Sequence, residues 1–175
     1  MAKKVAVLAV NPVNGAGLFQ YLEAFFENEI PYKTFAVAET TQIKTNSGIS
    51  LQTDDVVANL KGNENKYEVL VFACGDAMPK FAENADKIFN QDMLEVIKTF
   101  DDNNKILVGH CAAALLYDNL EIGKGKKVAL HPFIKSVVKG CIGTDEQSVV
   151  DGNIYTAQTE NSISALLPNL LKALK

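Results

Sequence analysis

The sequence has few of the residues on which secreted and metal-stabilised proteins depend. It contains no tryptophan, two histidines and three cysteines in 175 residues. The cysteines form no CxxC pair, and an odd, sparse set does not suit the disulfide framework of a secreted domain. Two histidines leave too few of the common ligands for an ordinary zinc site. We therefore expect reduced thiols, a cytoplasmic location and no bound metal.

Long apolar segments and an excess of positive charge are missing as well. The run Val5–Val10 is far shorter than the roughly 18–20 residues that cross a bilayer, and shorter than the roughly 7–15 residues of a signal-peptide core. The 17 basic and 21 acidic residues give a net charge of -4. Such a chain lacks the basic surface that binds nucleic acid or anionic lipid. We expect neither nucleic acid nor membrane as a partner, but a small molecule or a peptide.

The chain does have enough apolar material for one globular domain. Hydrophobic residues make up 47% of it and charged residues 22%, which is close to the average for soluble domains. The length is near the prior of roughly 150 residues per domain, and no linker, repeat or break in composition divides it. We predict a single domain over residues 1–175.

Short apolar runs alternate with longer segments of helical period. The runs predict strands at Lys4–Val10, Tyr32–Ala38, Tyr67–Cys74, Lys105–Val108, Lys127–Leu130, Gln147–Val150 and Asn153–Ala157. The helical segments are Leu18–Asn28, Asp54–Leu60, Ala77–Phe100, Ala112–Asn119 and Ser162–Leu174. This alternation predicts an α/β three-layer sandwich, with helices on both faces of a mostly parallel sheet.

The predicted sheet also indicates where to look for a site. In sheets of this kind, ligands bind outside the carboxyl ends of the strands. That rule selects four loops, which are Asn11–Gly17, Gly75–Pro79, Gly109–Cys111 and His131–Pro132.

The loop at Cys111 has the pattern of a nucleophile elbow. Gly109 lies two residues before the cysteine and Ala113 two residues after it, and such small residues let a reactive side chain stand on a tight strand-to-helix turn. A helix that begins beyond Cys111 would point its amide groups at the sulfur and lower the pKa of the thiol. The pattern equally suits a buried structural cysteine with a small-residue packing contact.

Three further side chains at this edge are candidates for proton transfer. His131 follows the strand Lys127–Leu130, so we place it on the same sheet edge as Cys111. His110 precedes the cysteine, and a sharp turn would point its ring away from the sulfur. Asp76 is the one acid that we place at this edge. Each also has an ordinary structural interpretation: the histidines as polar residues at strand ends, and Asp76 as a helix cap.

The loop Asn11–Gly17 joins the first strand to the first helix. Its glycines, Gly15 and Gly17, let backbone amides approach a ligand, and the start of a helix favours an anion such as phosphate. The loop lacks the third glycine of the dinucleotide motif and the lysine of a P-loop, so a glycine-rich tight turn is the alternative. Asn14 and Gly15, together with His110, are the candidate binding residues of this edge.

Over residues 3–174 the sequence resembles the ThiJ/PfpI family, which includes intracellular protease I-like proteins, parkinsonism-associated chaperone-like proteins and glyoxalase or deglycase enzymes. The resemblance implies a flavodoxin-like sandwich, a reactive cysteine at Cys111, an oxyanion contact from the Gly75 amide, and a homodimer. It lies in the first strand, the Gly75 turn, the elbow and the segments Gly48–Asp54, Gly125–Val128, His131–Pro132 and Val150–Ala157.

Several positions depart from the family's pattern. The loop Asn11–Gly17 contains no carboxylate, whereas family members with a well-studied cysteine carry a glutamate there that bonds the thiol. Ala112 stands where the protease-like branch has a histidine after the cysteine. Asp76 replaces the second glycine of the strand-end turn, and Gln158 replaces a basic residue after the last hairpin. These departures affect the activation of the thiol and not the fold.

The resemblance also gives Cys74 a possible role, because it places the Gly75 turn beside the elbow. Cys74 would then lie at the same strand-end level as Cys111. Neighbouring strands are about 4.7–4.9 Å apart, and a disulfide needs Cα atoms within roughly 7 Å, so Cys74 is a candidate resolving thiol. It could instead point into the core and away from the site, as buried free cysteines often do. Cys141 lies away from the predicted edge, and we assign it to packing.

The leading functional hypothesis is a hydrolase or deglycase that acts on a small carbonyl compound or a short peptide. Cys111 would be the nucleophile, the Gly75 and Ala112 amides would bind an oxyanion, and His131 or Asp76 would carry the proton. This reaction requires no cofactor. One alternative is a non-enzymatic protein that binds a phosphate-bearing cofactor such as flavin mononucleotide (FMN). Another is a redox-sensing or chaperone-like protein that uses the Cys111 thiolate.

Overall fold

One sheet of seven strands forms the centre of the computed structural model, which describes residues 1–175. Its strands are β1 Val5–Val10, β2 Tyr32–Val37, β5 Asp55–Val56, β6 Val69–Ala73, β7 Ile106–His110, β10 Ser148–Asp151 and β11 Ile154–Ala157. Two-stranded sheets are formed by β3 Gln42–Lys44 with β4 Ser50–Gln52, and by β8 Lys127–Val128 with β9 Ile142–Gly143. The central strand order is β10-β11-β7-β6-β1-β2-β5, and only β10 runs antiparallel to its neighbour.

The α-helices are α1 Gly15–Glu27, α2 Val57–Leu60, α3 Ile88–Asp102, α4 Ala113–Asn119 and α5 Ile163–Leu174. The path from β1 through α1 to β2 steps one way across the sheet, whereas the path from β6 through α3 to β7 steps the other way. Because parallel crossovers are right-handed, α1 and α3 lie on opposite faces. Helix α5 packs with α1, and α2 packs with α3. The predicted three-layer, flavodoxin-like sandwich is confirmed.

The core is centred on strands whose sequences are apolar on both faces. Every residue of β1 and β6 is buried, as expected for parallel strands that helices cover on both sides. One cluster of 44 buried residues connects these strands with the surrounding helices. No helix of the protein is both long and apolar enough to span a membrane.

The strand predicted at Lys127–Leu130 is wrong in extent and in place. Only Lys127–Val128 is extended, and it pairs with β9 outside the central sheet. Because β10 covers the free edge of β11, this segment has no central strand to join. Ala129 instead donates its N–H to the Thr156 side chain at 2.9 Å. His131 therefore does not end a strand of the central sheet.

Two predicted helices also differ from the structure. The segment Ala77–Phe100 begins with two 3-10 turns, Met78–Lys80 and Ala82–Asn84, before α3. Pro79 lies in the first of these turns and has no N–H with which to continue an α-helical ladder. The segment Asp54–Leu60 opens with β5, which pairs with β2, and only its second half is helical.

Candidate active site

Cys111 stands on the sharp turn between β7 and α4. Its φ of 57° lies in the left-handed region, which is uncommon for residues other than glycine. A Cβ on Gly109 would lie 2.2 Å from the Cβ of Ala113, so the turn requires the glycine. The Cys111 N–H donates to the Ala157 carbonyl oxygen at 3.2 Å, which ties the turn to β11. The turn has the elbow geometry that its small residues predict, and its thiol is half-buried.

The thiol of Cys74 lies beside Cys111. Cys74 is buried, but it does not point away from the site as one of its two sequence interpretations expects, since its Sγ donates to the His110 carbonyl oxygen at 3.2 Å. Hydrogen bonding by this thiol is the largest influence on Cys111 and lowers its pKa. Burial and the charge of Glu160 raise the pKa of Cys111, and the Ala112 N–H lowers it. The net result is a pKa below the ordinary value of a cysteine. The same contact, with burial, raises the pKa of Cys74 well above its usual value. One thiol is thus disposed to ionise and the other to stay protonated.

Two backbone N–H groups border these thiols. The Ala112 N–H lies close enough to both sulfurs to lower the pKa of each. The Gly75 N–H, directly after Cys74, has no acceptor within the protein. A Cβ on Gly75 would lie 2.4 Å from the Pro12 carbonyl oxygen, so glycine is needed where this strand end meets the loop after β1. These two N–H groups are potential donors to a negatively charged oxygen.

Glu160 is a carboxylate that the sequence reasoning missed. It opens the 3-10 turn Glu160–Ser162, which follows β11. Its negative charge favours the protonated forms of Cys111, Cys74 and His110, which places it near all three. Since β11 runs parallel to β7 and ends at the same edge, the rule about carboxyl ends of strands would have selected this loop as well.

Comparison with known proteins gives the family. The model of the DJ-1/PfpI family matches residues 3–173. The chain belongs to the DJ-1/PfpI family. It is 59% identical to the protein ppBat of Bacteroides thetaiotaomicron over 175 residues, which cover 100% of both chains.

Solved structures of DJ-1/PfpI proteins have the same fold. The crystal structure of the "putative protease I" from Bacteroides thetaiotaomicron is 59% identical, covers 99% of this chain and 100% of that one, and superposes with a TM-score of 0.98. Drosophila melanogaster DJ-1beta is 15% identical and covers 99% of this chain and 91% of its own, with a TM-score of 0.85. At that low identity the likeness concerns the fold alone.

His131 reaches the elbow through its backbone. Its N–H donates to the Cys111 carbonyl oxygen at 3.3 Å. Its Nδ1 accepts the Phe133 N–H at 3.2 Å, and the two rings are 5.0 Å apart. The imidazole is not among the groups that shift the pKa of Cys111. Its position next to the elbow comes from a connecting segment and not from a central strand, and its role as proton carrier stays a prediction.

His110 faces helix α1, in the direction that the sharp turn predicts. Its Nδ1 is 3.3 Å from the Tyr21 hydroxyl. A Cβ on Gly17 would lie 2.4 Å from Nε2, so this glycine makes room for the imidazole. Burial lowers the pKa of His110 to about 4. The ring is therefore neutral at pH 7, and its Nε2 has no hydrogen-bond partner.

Asp76 follows the Gly75 turn but is exposed. Its backbone N–H donates to Asn46 Oδ1 at 3.0 Å. The next turn begins at Ala77 without a side-chain cap, so Asp76 does not have the capping role that the sequence also allowed. Its carboxylate is not among the groups that shift the pKa of Cys111. A role in proton transfer stays a prediction.

Asn14 caps helix α1. Its Oδ1 accepts the Gly17 N–H at 2.6 Å, and its own N–H donates to the Cys74 carbonyl oxygen at 3.0 Å. A Cβ on Gly15 would lie 3.0 Å from the Thr45 side chain, so the β3–β4 hairpin packs on this glycine. The loop is thereby fixed to the strand end beside the thiols. Phosphate binding by its amides stays a prediction.

Proposed function

We propose that the protein is a cysteine-dependent enzyme that acts on small reactive carbonyl compounds by a glyoxalase- or deglycase-type reaction. The observation that carries this proposal is the setting of Cys111, a half-buried thiol on a left-handed turn with a pKa below its ordinary value. The thiolate and not the thiol is the nucleophile in such chemistry. Membership in the DJ-1/PfpI family supports the same assignment.

The first step is addition of the Cys111 thiolate to an aldehyde carbon. A carbon–sulfur bond forms while the carbonyl π bond breaks, and its electron pair moves to the oxygen. The N–H groups of Gly75 and Ala112 are the candidate donors to that oxyanion, a contribution that often dominates in acyl and carbonyl chemistry. A proton from water then completes a hemithioacetal.

The next steps, for a dicarbonyl substrate, need a base at the same edge. The base removes the proton from the former aldehyde carbon, and the resulting enediolate takes up a proton at the neighbouring carbon. Water hydrolyses the thioester so formed, which releases a 2-hydroxy acid and the Cys111 thiol. Glu160 is our candidate base, because its charge reaches the thiol and because carboxylates serve as general bases in such transfers.

Hydrolysis of short peptides is the second candidate. The 59%-identical structure is called a "putative protease I", and the His131 N–H bond to the Cys111 carbonyl brings a histidine to the elbow. Amide hydrolysis requires an acid that protonates the leaving amine. His131 directs Nδ1 to the Phe133 N–H, and the position after the cysteine is Ala112. We favour the carbonyl reaction because none of its steps expels an amine that an acid would have to protonate.

Conversion of methylglyoxal to lactate by the full chain tests the proposal, with short peptides assayed in parallel. We expect turnover that Cys111→Ala reduces by at least roughly a hundred-fold. Cys141→Ser is the matched control, and it should retain activity because the hydrogen bonds of Cys141 go to Asp118, Ile122 and Gly123 and not to the elbow. Conversion no faster than that of Cys111→Ala would contradict the proposal. Peptide cleavage that depends on Cys111, without conversion of the carbonyl, would favour the second candidate.

A further inference from the structure

The two thiols beside the elbow are chemically complementary. We propose that Cys74 and Cys111 form a redox-active pair, in which a hydroperoxide oxidises Cys111 and Cys74 then closes an intramolecular disulfide. The inference goes beyond the proposed carbonyl reaction, since it assigns a second chemistry to the same nucleophile and a role to Cys74. It needs a reactive Cys111 thiol but no particular carbonyl substrate.

The register of the sheet places the two cysteines side by side. Strands β6 and β7 pair in parallel with Phe72 opposite Gly109, so two residues further on Cys74 is in line with Cys111. Neighbouring strands are about 4.7–4.9 Å apart, and disulfides span Cα separations of roughly 4.4–6.8 Å. The backbone spacing is therefore compatible with a bond between them.

The side chains converge as well. The Sγ of Cys74 lies 3.2 Å from the carbonyl oxygen of His110, the residue directly before Cys111, and the Cys74 thiol interacts with the Cys111 thiol. Cys74 is 3% exposed, so its sulfur cannot meet a second molecule in the folded chain. Cys141 bonds two carbonyl oxygens in another region. Cys111 is thus the sulfur with which Cys74 can react.

The chemistry proceeds in two steps. The Cys111 thiolate attacks the terminal oxygen of the hydroperoxide, the O–O bond breaks, and the departing oxygen takes a proton and leaves as water or an alcohol, which gives a sulfenic acid. The Cys74 sulfur then attacks the sulfenic sulfur. The S–O bond breaks, the departing hydroxide takes the Cys74 proton and leaves as water, and an S–S bond forms. The two thiols together supply the two electrons that reduce the peroxide.

The disulfide would protect Cys111 from irreversible oxidation and would inactivate it as a nucleophile. Without a resolving thiol, a sulfenic acid is oxidised further to sulfinic acid, which is in general irreversible. The disulfide removes the nucleophile until an external thiol reduces it by exchange. Cys74 would therefore allow the site to survive peroxide at the cost of a temporary loss of activity.

Mass mapping of the full chain tests the pair. The reduced protein is treated with two equivalents of hydrogen peroxide, the amount that takes one thiol to a sulfinic acid, then alkylated under denaturing conditions and digested without reductant. We expect a loss of two hydrogen atoms in mass, a linked peptide that joins Cys74 to Cys111, and complete reversal by dithiothreitol. Cys74→Ser should instead gain two oxygen atoms at Cys111, which dithiothreitol does not remove. The matched variant Cys141→Ser should still form the link.

Several outcomes would overturn the pair. These are oxygen added at Cys111 of the wild type while Cys74 remains free, a link that joins two molecules or includes Cys141, and no oxidation at all. The wild-type result alone tests the Cys74–Cys111 pair, even if Cys74→Ser fails to fold. Methylglyoxal turnover of the same reduced preparation separates the two proposals. Turnover without formation of the disulfide would contradict only the proposed Cys74–Cys111 pair. Formation of the disulfide without turnover would contradict only the proposed carbonyl reaction.

Discussion

Cys111 and Cys141 show how strongly its surroundings change a thiol. Cys111 is half-buried, and the hydrogen bond of a neighbouring thiol lowers its pKa. Cys141 is buried and directs its Sγ to the carbonyl oxygens of Ile122 and Gly123 at 3.3 and 3.4 Å. Burial, and then the charge of Asp118, raises the pKa of Cys141 to about 12. The two sulfurs therefore differ in the fraction that is ionised, and with it in reactivity.

The two regions also use their backbone N–H groups differently. The Asp118 carboxylate accepts the N–H groups of Lys139, Gly140 and Cys141 at 2.6–2.8 Å, an arrangement that we call the Asp118 turn. Burial raises the pKa of Asp118, but these hydrogen bonds outweigh burial and lower it. At the elbow, the Gly75 N–H has no acceptor in the protein. One region uses its donors to stabilise the fold, and the other leaves a donor without an acceptor in the protein.

The largest expected difference between the two regions is in the rates at which Cys111 and Cys141 are alkylated. At pH 8 a thiol whose pKa is about 12 is ionised to a fraction on the order of 10⁻⁴, whereas the pKa of Cys111 lies below its ordinary value. We expect iodoacetamide to modify Cys111 at least roughly a thousand-fold faster than Cys141 in the folded protein. Peptide mass mapping over a time course measures both rates in one sample.

Guanidinium supplies the control for this comparison. In the unfolded chain both thiols lose their surroundings, so Cys111 and Cys141 should react at equal rates. Equal rates in the folded protein would show that the surroundings described above do not distinguish them.

Removing Asp118 tests whether the donors of the Asp118 turn are structural. Asp118→Ala leaves three N–H groups without their acceptor, and we expect it to lower the free energy of unfolding by about 3 kcal/mol. Asn119→Ala changes the neighbouring exposed position, and should alter stability by less than about 0.5 kcal/mol. Urea unfolding measures both. If Asp118→Ala were as stable as the wild type, water would be replacing the carboxylate without loss.

The features that could be predicted from the sequence are local ones. The apolar runs of β1 and β6 lie within single segments, and a run that is apolar on both faces fits only a covered strand. The elbow depends on Gly109 and Ala113, each two residues from Cys111. Short-range sterics of this kind can be read from the chain before any strand order is known.

The features that could not be predicted depend on long-range pairing. Lys127–Leu130 has the composition of a strand, but its exclusion from the central sheet follows from β10 covering β11. Glu160 joins the site only because β11 lies next to β7, which brings two distant segments together. The contact of Cys74 with Cys111 likewise depends on the pairing of β6 with β7. Periodicity contains no information about that pairing, and only the family resemblance indicated it.

Lowering the pH should reduce the stability of the protein through His110, next to the elbow, before it affects the Asp118 turn. This effect is smaller than the two above. Its pKa is lowered to about 4 in the folded protein, against roughly 6.5 in the unfolded chain. Between these values the unfolded chain binds a proton that the folded chain does not, so stability falls as the pH drops from about 6.5 to about 4, by roughly 2 kcal/mol at pH 5. The lowered pKa of Asp118 means that its contribution is lost only at still lower pH.

Urea unfolding at pH 7 and pH 5 measures this difference. His110→Leu removes the titrating ring and keeps an apolar side chain against α1, so the loss of stability between the two pH values should shrink by roughly 2 kcal/mol, whatever the variant's absolute stability. Asn119→Ala, which changes an exposed position without a titratable group, should retain the wild-type dependence. A wild type equally stable at both pH values would contradict the argument, because the folded chain would then have to accept a proton on a ring packed against Tyr21 and Gly17.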